Sequence, residues 1–172
     1  IILFWYPKDF TFVCPTEIHA FQSKLSEFEK RNTMVIGASC DTPEVHFAWL
    51  STPKDNGGIE GVTFPLIADS TRHLSETLDI LDTEYVGTEE NYSIEGDNVS
   101  YRATFLIDEE GTIFHESVNV MPLGRNVDEY LRLIDGYAHN QKHGEVCPAN
   151  WEEGKEAMSE SRESVANYLS KQ

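Results

Sequence analysis

The sequence predicts an α/β fold, a mixed sheet flanked by helices and followed by a C-terminal arm. Three observations predict it. Apolar runs read as strands: residues 1–6, short and dense, as one covered on both faces, 34–38 as another buried strand, and 64–68 as a short one. Between them, apolar residues recur at helical spacing. Further on, two strand-like runs flank the turn signal Asp108-Glu109-Glu110-Gly111. Strand and helix alternating along one chain is the pattern of a layered α/β domain.

Each element has its own justification. The first run, Ile1 to Tyr6, stops at Pro7. From Cys14 onward, Ile18, Phe21, Leu25 and Phe28 mark a helix with Glu and Lys on its other face. Met34 to Ala38 is a second buried strand. Pro43, tolerated in a first turn, opens a helix carrying Val45, Phe47, Trp49 and Leu50. Asn56-Gly57-Gly58 breaks that pattern, and Phe64 to Ala68 is a short strand. Leu74, Leu78 and Leu81 suggest a helix, and residues 83–100, polar and glycine-containing, read as loop. Tyr101 to Ile107 and Thr112 to Val118 form the hairpin, and Val127, Tyr130, Leu131 and Ile134 mark a last amphipathic helix. Beyond about His143 the composition turns to Glu, Ser and Lys, which reads as an arm outside the core. The expected organisation is one domain over residues 1–142 and an arm over 143–172.

Composition narrows the function. Hydrophobic residues at 40% and charged residues at 25% are those of an ordinary globular protein, and 172 residues suffice for a core. A net charge of -17 argues against nucleic acid and anionic membranes, which bind through Lys and Arg. No apolar run approaches the ~20 residues needed to span a bilayer. Three cysteines are too few for a secreted disulfide scaffold, so free thiols in a reducing, cytoplasmic setting are expected. The chain begins inside an apolar run without an initiator Met or a signal-peptide pattern, as a fragment starting within a core strand would.

The chemistry centres on Cys14, at the junction between an extended segment and a helix. Unpaired N–H groups and the positive end of the helix dipole there favour a thiolate over a thiol. A lone cysteine is otherwise a small buried hydrophobe. The neighbourhood decides: Pro7-Lys8-Asp9-Phe10-Thr11-Phe12-Val13-Cys14-Pro15-Thr16-Glu17 contains P-x-x-x-T-x-x-C in full. With this string the sequence resembles the peroxiredoxins, in particular their typical two-cysteine branch, which includes the alkyl hydroperoxide reductase C type. A thiolate attacking a peroxide leaves negative charge on the departing alkoxide, and donors aimed there lower the barrier. Thr11 can aim its hydroxyl at the thiolate or the peroxide, and Pro7, lacking an N–H, would shield the thiolate. Singly, the two are equally well a helix-capping Thr and a strand-ending Pro. Arg102, within the otherwise apolar Tyr101-Arg102-Ala103-Thr104-Phe105, must find a partner or line a site, and the resemblance matches it to the active-site arginine. Glu17 and Arg125 resemble the family's supporting charged pair. An exposed salt bridge of little worth is their other reading.

Gly144-Glu145-Val146-Cys147-Pro148-Ala149-Asn150-Trp151 resembles the resolving-cysteine segment of the same branch. The resemblance implies a thioredoxin-like sheet whose first strands lie upstream of Ile1, and reduction of hydrogen peroxide and alkyl hydroperoxides. It implies a Cys14 sulfenic acid captured by Cys147 of a second subunit, hence a homodimer and a decamer-like ring of dimers. Thioredoxin or a flavoprotein disulfide reductase would return the electrons, and no cofactor or metal would be needed. A chaperone-like oligomer and a peroxide-sensing relay are the competing roles. Cys40 reads as a structural thiol, and the histidines form no metal set. His46 is read as packing near a dimer interface or in the core. Gly57-Gly58-Ile59-Glu60 and Tyr168-Leu169 depart from the family's patterns, and residues 83–100 are longer than the usual connection.

Overall fold

The computed structural model describes residues 1–88 and 90–171. Its central sheet has five strands: β1 (Ile2–Trp5), β2 (Val35–Ser39), β3 (Leu66–Ala68), β6 (Arg102–Ile107) and β7 (Ile113–Asn119), in the order β3-β2-β1-β6-β7. Pairing is parallel from β1 to β2 and from β2 to β3, and antiparallel from β1 to β6 and from β6 to β7. The parallel pairs require crossovers, and helices supply them. The chain passes from β1 through α1 (Cys14–Ser23) and α2 (Leu25–Lys30) to β2, then through α3 (Pro43–Leu50) to β3. This mixed, helix-flanked sheet is the α/β architecture expected, and the tail of β1 and start of β6 place the site.

Alternation along β1 loads both faces of the sheet. Phe4 stacks on Phe21 of α1 at 4.1 Å between centroids and meets Phe64 edge-on at 5.8 Å. Trp5, on the other face, gathers Ala38, Ile80, Ala103 and Phe105, with Leu3 and Ile67 against them. Each such buried side chain stabilises the fold by roughly 1.5–3 kcal/mol. In α3, Thr42 caps the N-terminus by accepting from Val45 N–H, and Pro43 fills the first turn. Its buried residues are His46 and Trp49, whereas Phe47 is 73% exposed.

Several elements differ from expectation. The first helix is two, broken at Lys24, where the preceding Ser23 hydroxyl donates back to the Ala20 carbonyl. The helix after β3 is a short α4 (His73–Thr77) that ends before Leu78. Residues 83–100, expected as loop, hold an antiparallel hairpin, β4 (Glu84–Thr88) with β5 (Asn91–Glu95). Tyr85, Val86, Tyr92 and Ile94 are good strand formers, but the residues of both strands are exposed, so no alternation of buried and polar residues marks them.

By its contacts the chain forms two units, Ile1–Arg125 and Asn126–Gln172, each described by itself. The second holds α5 (Val127–His143), capped by Asn126 at its start and ended by Gly144 in a left-handed conformation (φ 67°). Its buried residues are Val127, Tyr130, Leu131 and Ile134, the four the spacing picks out. After it, Val146 bridges to Met158, and α6 (Arg162–Leu169) starts at a Ser161 cap. Trp151 is not a solvated arm residue: it is buried, 5.0 Å from the His139 ring, and donates Nε1–H to the Lys155 carbonyl. Among the described residues no helix is long and apolar enough to cross a membrane.

Candidate active site

Sheet register brings the site together. Because β1 and β6 run antiparallel with Phe4 opposite Thr104, the chain leaving β1 emerges beside the first residues of β6. That departing segment carries Pro7, Thr11 and Cys14, and the first residue of β6 is Arg102. Cys14 opens α1, with Val13 as N-cap and Pro15 following in the first turn.

The Cys14 side chain is fully buried. Arg102 Nη1 donates to its sulfur at 3.3 Å and to Glu17 Oε2 at 2.6 Å. Glu17 lies three residues after Cys14, one helical turn on, so both side chains reach the same cation. Arg102 Nε donates to the Met121 carbonyl, which fixes the plane of the guanidinium. Arg125 closes the far side of Glu17: its backbone N–H and Nε donate to Oε1 at 3.0 and 2.9 Å, and its Nη2 to Oε2 at 3.0 Å. Its remaining Nη1 is taken up by the Trp5 and Ala103 carbonyls and the Thr104 hydroxyl. Side-chain exposures of 4%, 2% and 1% for Arg102, Glu17 and Arg125 rule out the exposed salt bridge. One carboxylate thus holds two guanidiniums in place, and one of them touches the sulfur.

Thr11 and Pro7 line the same cavity as Arg102, with a volume of about 580 Å³. The Thr11 hydroxyl donates to the Lys8 carbonyl at 2.8 Å, a bond that pins the segment ahead of Cys14. His19, further along α1, is 3.0 Å from the Gly58 carbonyl, and Trp49 donates to the Gly57 carbonyl. Gly58 is obligatory there, since a Cβ would lie 1.9 Å from the Thr52 carbonyl oxygen.

Asp9 is the residue of this segment that the sequence reading left without a role. It is buried, and its carboxylate sits 2.8 Å from His46 Nδ1. His46 Nε2 faces the Ile67 carbonyl at 3.2 Å, so both ring nitrogens meet acceptors and the imidazolium is the satisfied form. Burial alone would lower the His46 pKa, but the bond and charge of Asp9 outweigh it and the net shift is upward. Burial, followed by the same Asp9 charge, pushes Tyr6 far up and keeps it a phenol. His46 is therefore a core residue tying the Pro7–Cys14 segment to α3. A histidine whose folded pKa is raised contributes stability below its unfolded value near 6.5 and loses it as pH climbs through the folded value. His46→Gln should accordingly lower the melting temperature most at about pH 6, with the gap shrinking above neutrality. A gap constant from pH 6 to 9 would count against a charged His46.

The other two cysteines differ from Cys14 in setting. Cys40 is buried, 3.5 Å from the Ser75 hydroxyl, and burial pushes its pKa up, which suits an inert thiol. Cys147 is half-buried in the second unit, and its thiol donates to the Gly136 carbonyl at 3.5 Å. Burial raises its pKa, Arg132 pulls it back in part, and Glu145 raises it again. All three are free thiols. Among the described residues no group of three or more His, Cys, Asp or Glu is arranged to hold a metal ion.

The chain is similar in sequence and in structure to known proteins. Residues 1–116 match the AhpC/TSA family, and residues 137–171 match the C-terminal domain of 1-Cys peroxiredoxin. Alkyl hydroperoxide reductase C of Helicobacter pylori is 45% identical over 168 residues, covering 98% of this chain and 78% of that one. Peroxiredoxin-1 of Gekko japonicus is 42% identical over 99% of this chain and 80% of its own. Among solved structures, the reduced 2-Cys peroxiredoxin of Plasmodium vivax superposes with a TM-score of 0.87 at 43% identity, covering 98% and 81% of the two chains.

Proposed function

The chain belongs to the AhpC/TSA family of peroxiredoxins, and on that premise we propose that its thiol-dependent peroxidase activity runs through Cys14 as the attacking atom and Cys147 as the resolving one. The observation that carries this reading is the 3.3 Å hydrogen bond from Arg102 to the Cys14 sulfur at the start of α1. In the first step the Cys14 thiolate attacks the terminal oxygen of ROOH. The O–O bond breaks, sulfur is oxidised to the sulfenic acid, and RO⁻ leaves to take a proton as ROH. Arg102 sits against the attacking sulfur and is placed to meet the developing charge on the peroxide oxygens. Glu17 holds Arg102, and Arg125 holds Glu17.

In the second step the Cys147 sulfur attacks the Cys14 sulfenic acid, forming a disulfide and releasing water. Before that step the Cys147 thiol donates to the Gly136 carbonyl, and burial holds its pKa up. Cys14 is buried in a helical turn, and a disulfide needs Cα atoms within about 7 Å, so that turn opens during the cycle. The chain acts on a hydroperoxide and works as an oligomer. The finer assignments proposed are a homodimer with the disulfide between subunits, dimers assembled into a ring, and residues 143–172 acting as the arm that delivers Cys147. Thioredoxin or a flavoprotein disulfide reductase would reduce the disulfide, in the cytoplasm.

The test is the intact mass, under denaturing and non-reducing conditions, after one equivalent of hydrogen peroxide. A covalent dimer linked between Cys14 and Cys147 is expected. Cys147→Ser should give instead a monomer carrying one added oxygen on Cys14. A reduced monomer from the folded wild type would refute the cycle.

A further inference from the structure

The cavity lined by Arg102, whose guanidinium touches the Cys14 sulfur, is larger than hydrogen peroxide needs. At about 580 Å³ it lies in the range of pockets that enclose whole organic ligands, against roughly 30 Å³ for one water in the liquid. Its floor is chemical, formed by the buried Pro7 and Arg102. Half-buried Val99 and Met121 form an apolar wall. Two charges of opposite sign, Lys8 and Asp97, stand exposed among the lining residues. Asp97 and Val99 come from the return of the β4–β5 hairpin, in the stretch longer than the family's usual connection.

That return is held firmly. Asp82 N–H donates to the Val99 carbonyl at 2.8 Å, and Asn98 N–H to the Asp82 carbonyl at 3.0 Å. Arg72 Nε donates to the Asn98 carbonyl at 2.9 Å, and the Thr83 hydroxyl to Asn98 Oδ1. Asn98 itself takes a left-handed conformation, φ 53°, which turns the chain between Asp97 and Val99. Both residues therefore line the cavity from a fixed backbone, which is what a selective wall requires.

We infer that Asp97 and Val99 determine which hydroperoxides this enzyme accepts: Val99 receives an apolar organic substituent, and Asp97 turns away substituents that carry a carboxylate. The inference rests on Cys14 being the attacking atom beside this cavity. Charge balance supports it. Glu17 lies between two guanidiniums, the Cys14 thiolate adds a negative charge, and Lys8 is offset by Asp97. A neutral substrate gains apolar contact with Val99 and Met121 and carries no charge for Asp97 to repel. An anionic one meets Asp97 on its way to an anionic sulfur.

The test compares kcat/KM for linoleic acid hydroperoxide and for its methyl ester, which share a chain and differ by one charge, with hydrogen peroxide as a third substrate. Asp97→Asn should raise the acid-to-ester ratio about three- to five-fold, the scale of an exposed charge contact, and Asp97→Glu should restore it. Lys8→Gln should move the ratio the other way. Val99→Ser should lower both organic substrates about tenfold relative to hydrogen peroxide. Damage to the fold would slow acid and ester alike and so could not produce a rise in their ratio. An acid-to-ester ratio in Asp97→Asn within error of wild type overturns the assignment while the peroxidase reading stands. A wild type that consumes none of the three peroxides brings down both.

Discussion

Cys14→Ser is expected to reduce kcat/KM for hydrogen peroxide by at least about 10⁴-fold, some 5.4 kcal/mol of transition-state stabilisation. A serine hydroxyl is not ionised at neutral pH, so Arg102 would face a neutral oxygen and the nucleophile would be gone. The substitution shortens one buried bond and adds no atoms, so the melting temperature should move by only a few degrees. Neither remaining cysteine can stand in. Cys40 is buried with its pKa pushed up and sits against Ser75, and Cys147 lies in the second unit as a thiol bonded to a backbone carbonyl. Stopped-flow peroxide consumption by a folded Cys14→Ser protein, at even a few percent of wild type, would remove Cys14 from the role assigned to it.

Glu17→Gln is the second large effect, and it falls on stability as well as rate. The carboxylate accepts four hydrogen bonds, one from Arg102 and three from Arg125, all in a buried setting. An amide offers one acceptor oxygen and presents N–H groups to the other guanidinium, leaving buried Arg125 without an anion and Arg102 with the Cys14 sulfur alone. Breaking a buried pair in this way costs about 3–5 kcal/mol, because desolvation of the remaining charge is no longer offset. At about 2–4 °C per kcal/mol for a chain of this size, the melting temperature should fall by roughly 10 °C. Arg102 would also lose the contact that aims it at Cys14, and kcat/KM should fall by about 10²-fold. A Glu17→Gln protein melting within 2 °C of wild type would show that Glu17 does not anchor the two arginines.

These effects bear on how far the sequence could be read. Pro7, Thr11 and Cys14 were legible because they occupy one short segment whose spacing is itself the signal. Arg102 was legible for another reason: a cation in an apolar strand demands a partner, even when that partner cannot be named. Glu17 and Arg125 left two readings open, surface pair or supporting pair, and only burial separates them. His46 stood out without its partner, since Asp9 lies 37 residues earlier and no local pattern joins them. The β4–β5 hairpin stayed hidden because periodicity reports a buried face, and the strands of this hairpin have none. Asp97 and Val99 stayed hidden with it.

By itself, then, the sequence determined the kinds of element, most of their order, and the placing of Cys14 at the opening of a helix. All three depend on residues within a turn or two of each other, where side-chain spacing and backbone preference act directly. The tertiary structure decided which charges are buried together, which carbonyls they meet, and which segment walls the cavity. Glu17 reaches Arg102 across 85 residues and Arg125 across 108, and only the register of β1 against β6 and the packing of α1 on the sheet set those distances. Coulomb and desolvation energies follow separation and burial in space, so no reading of neighbours along the chain could supply them.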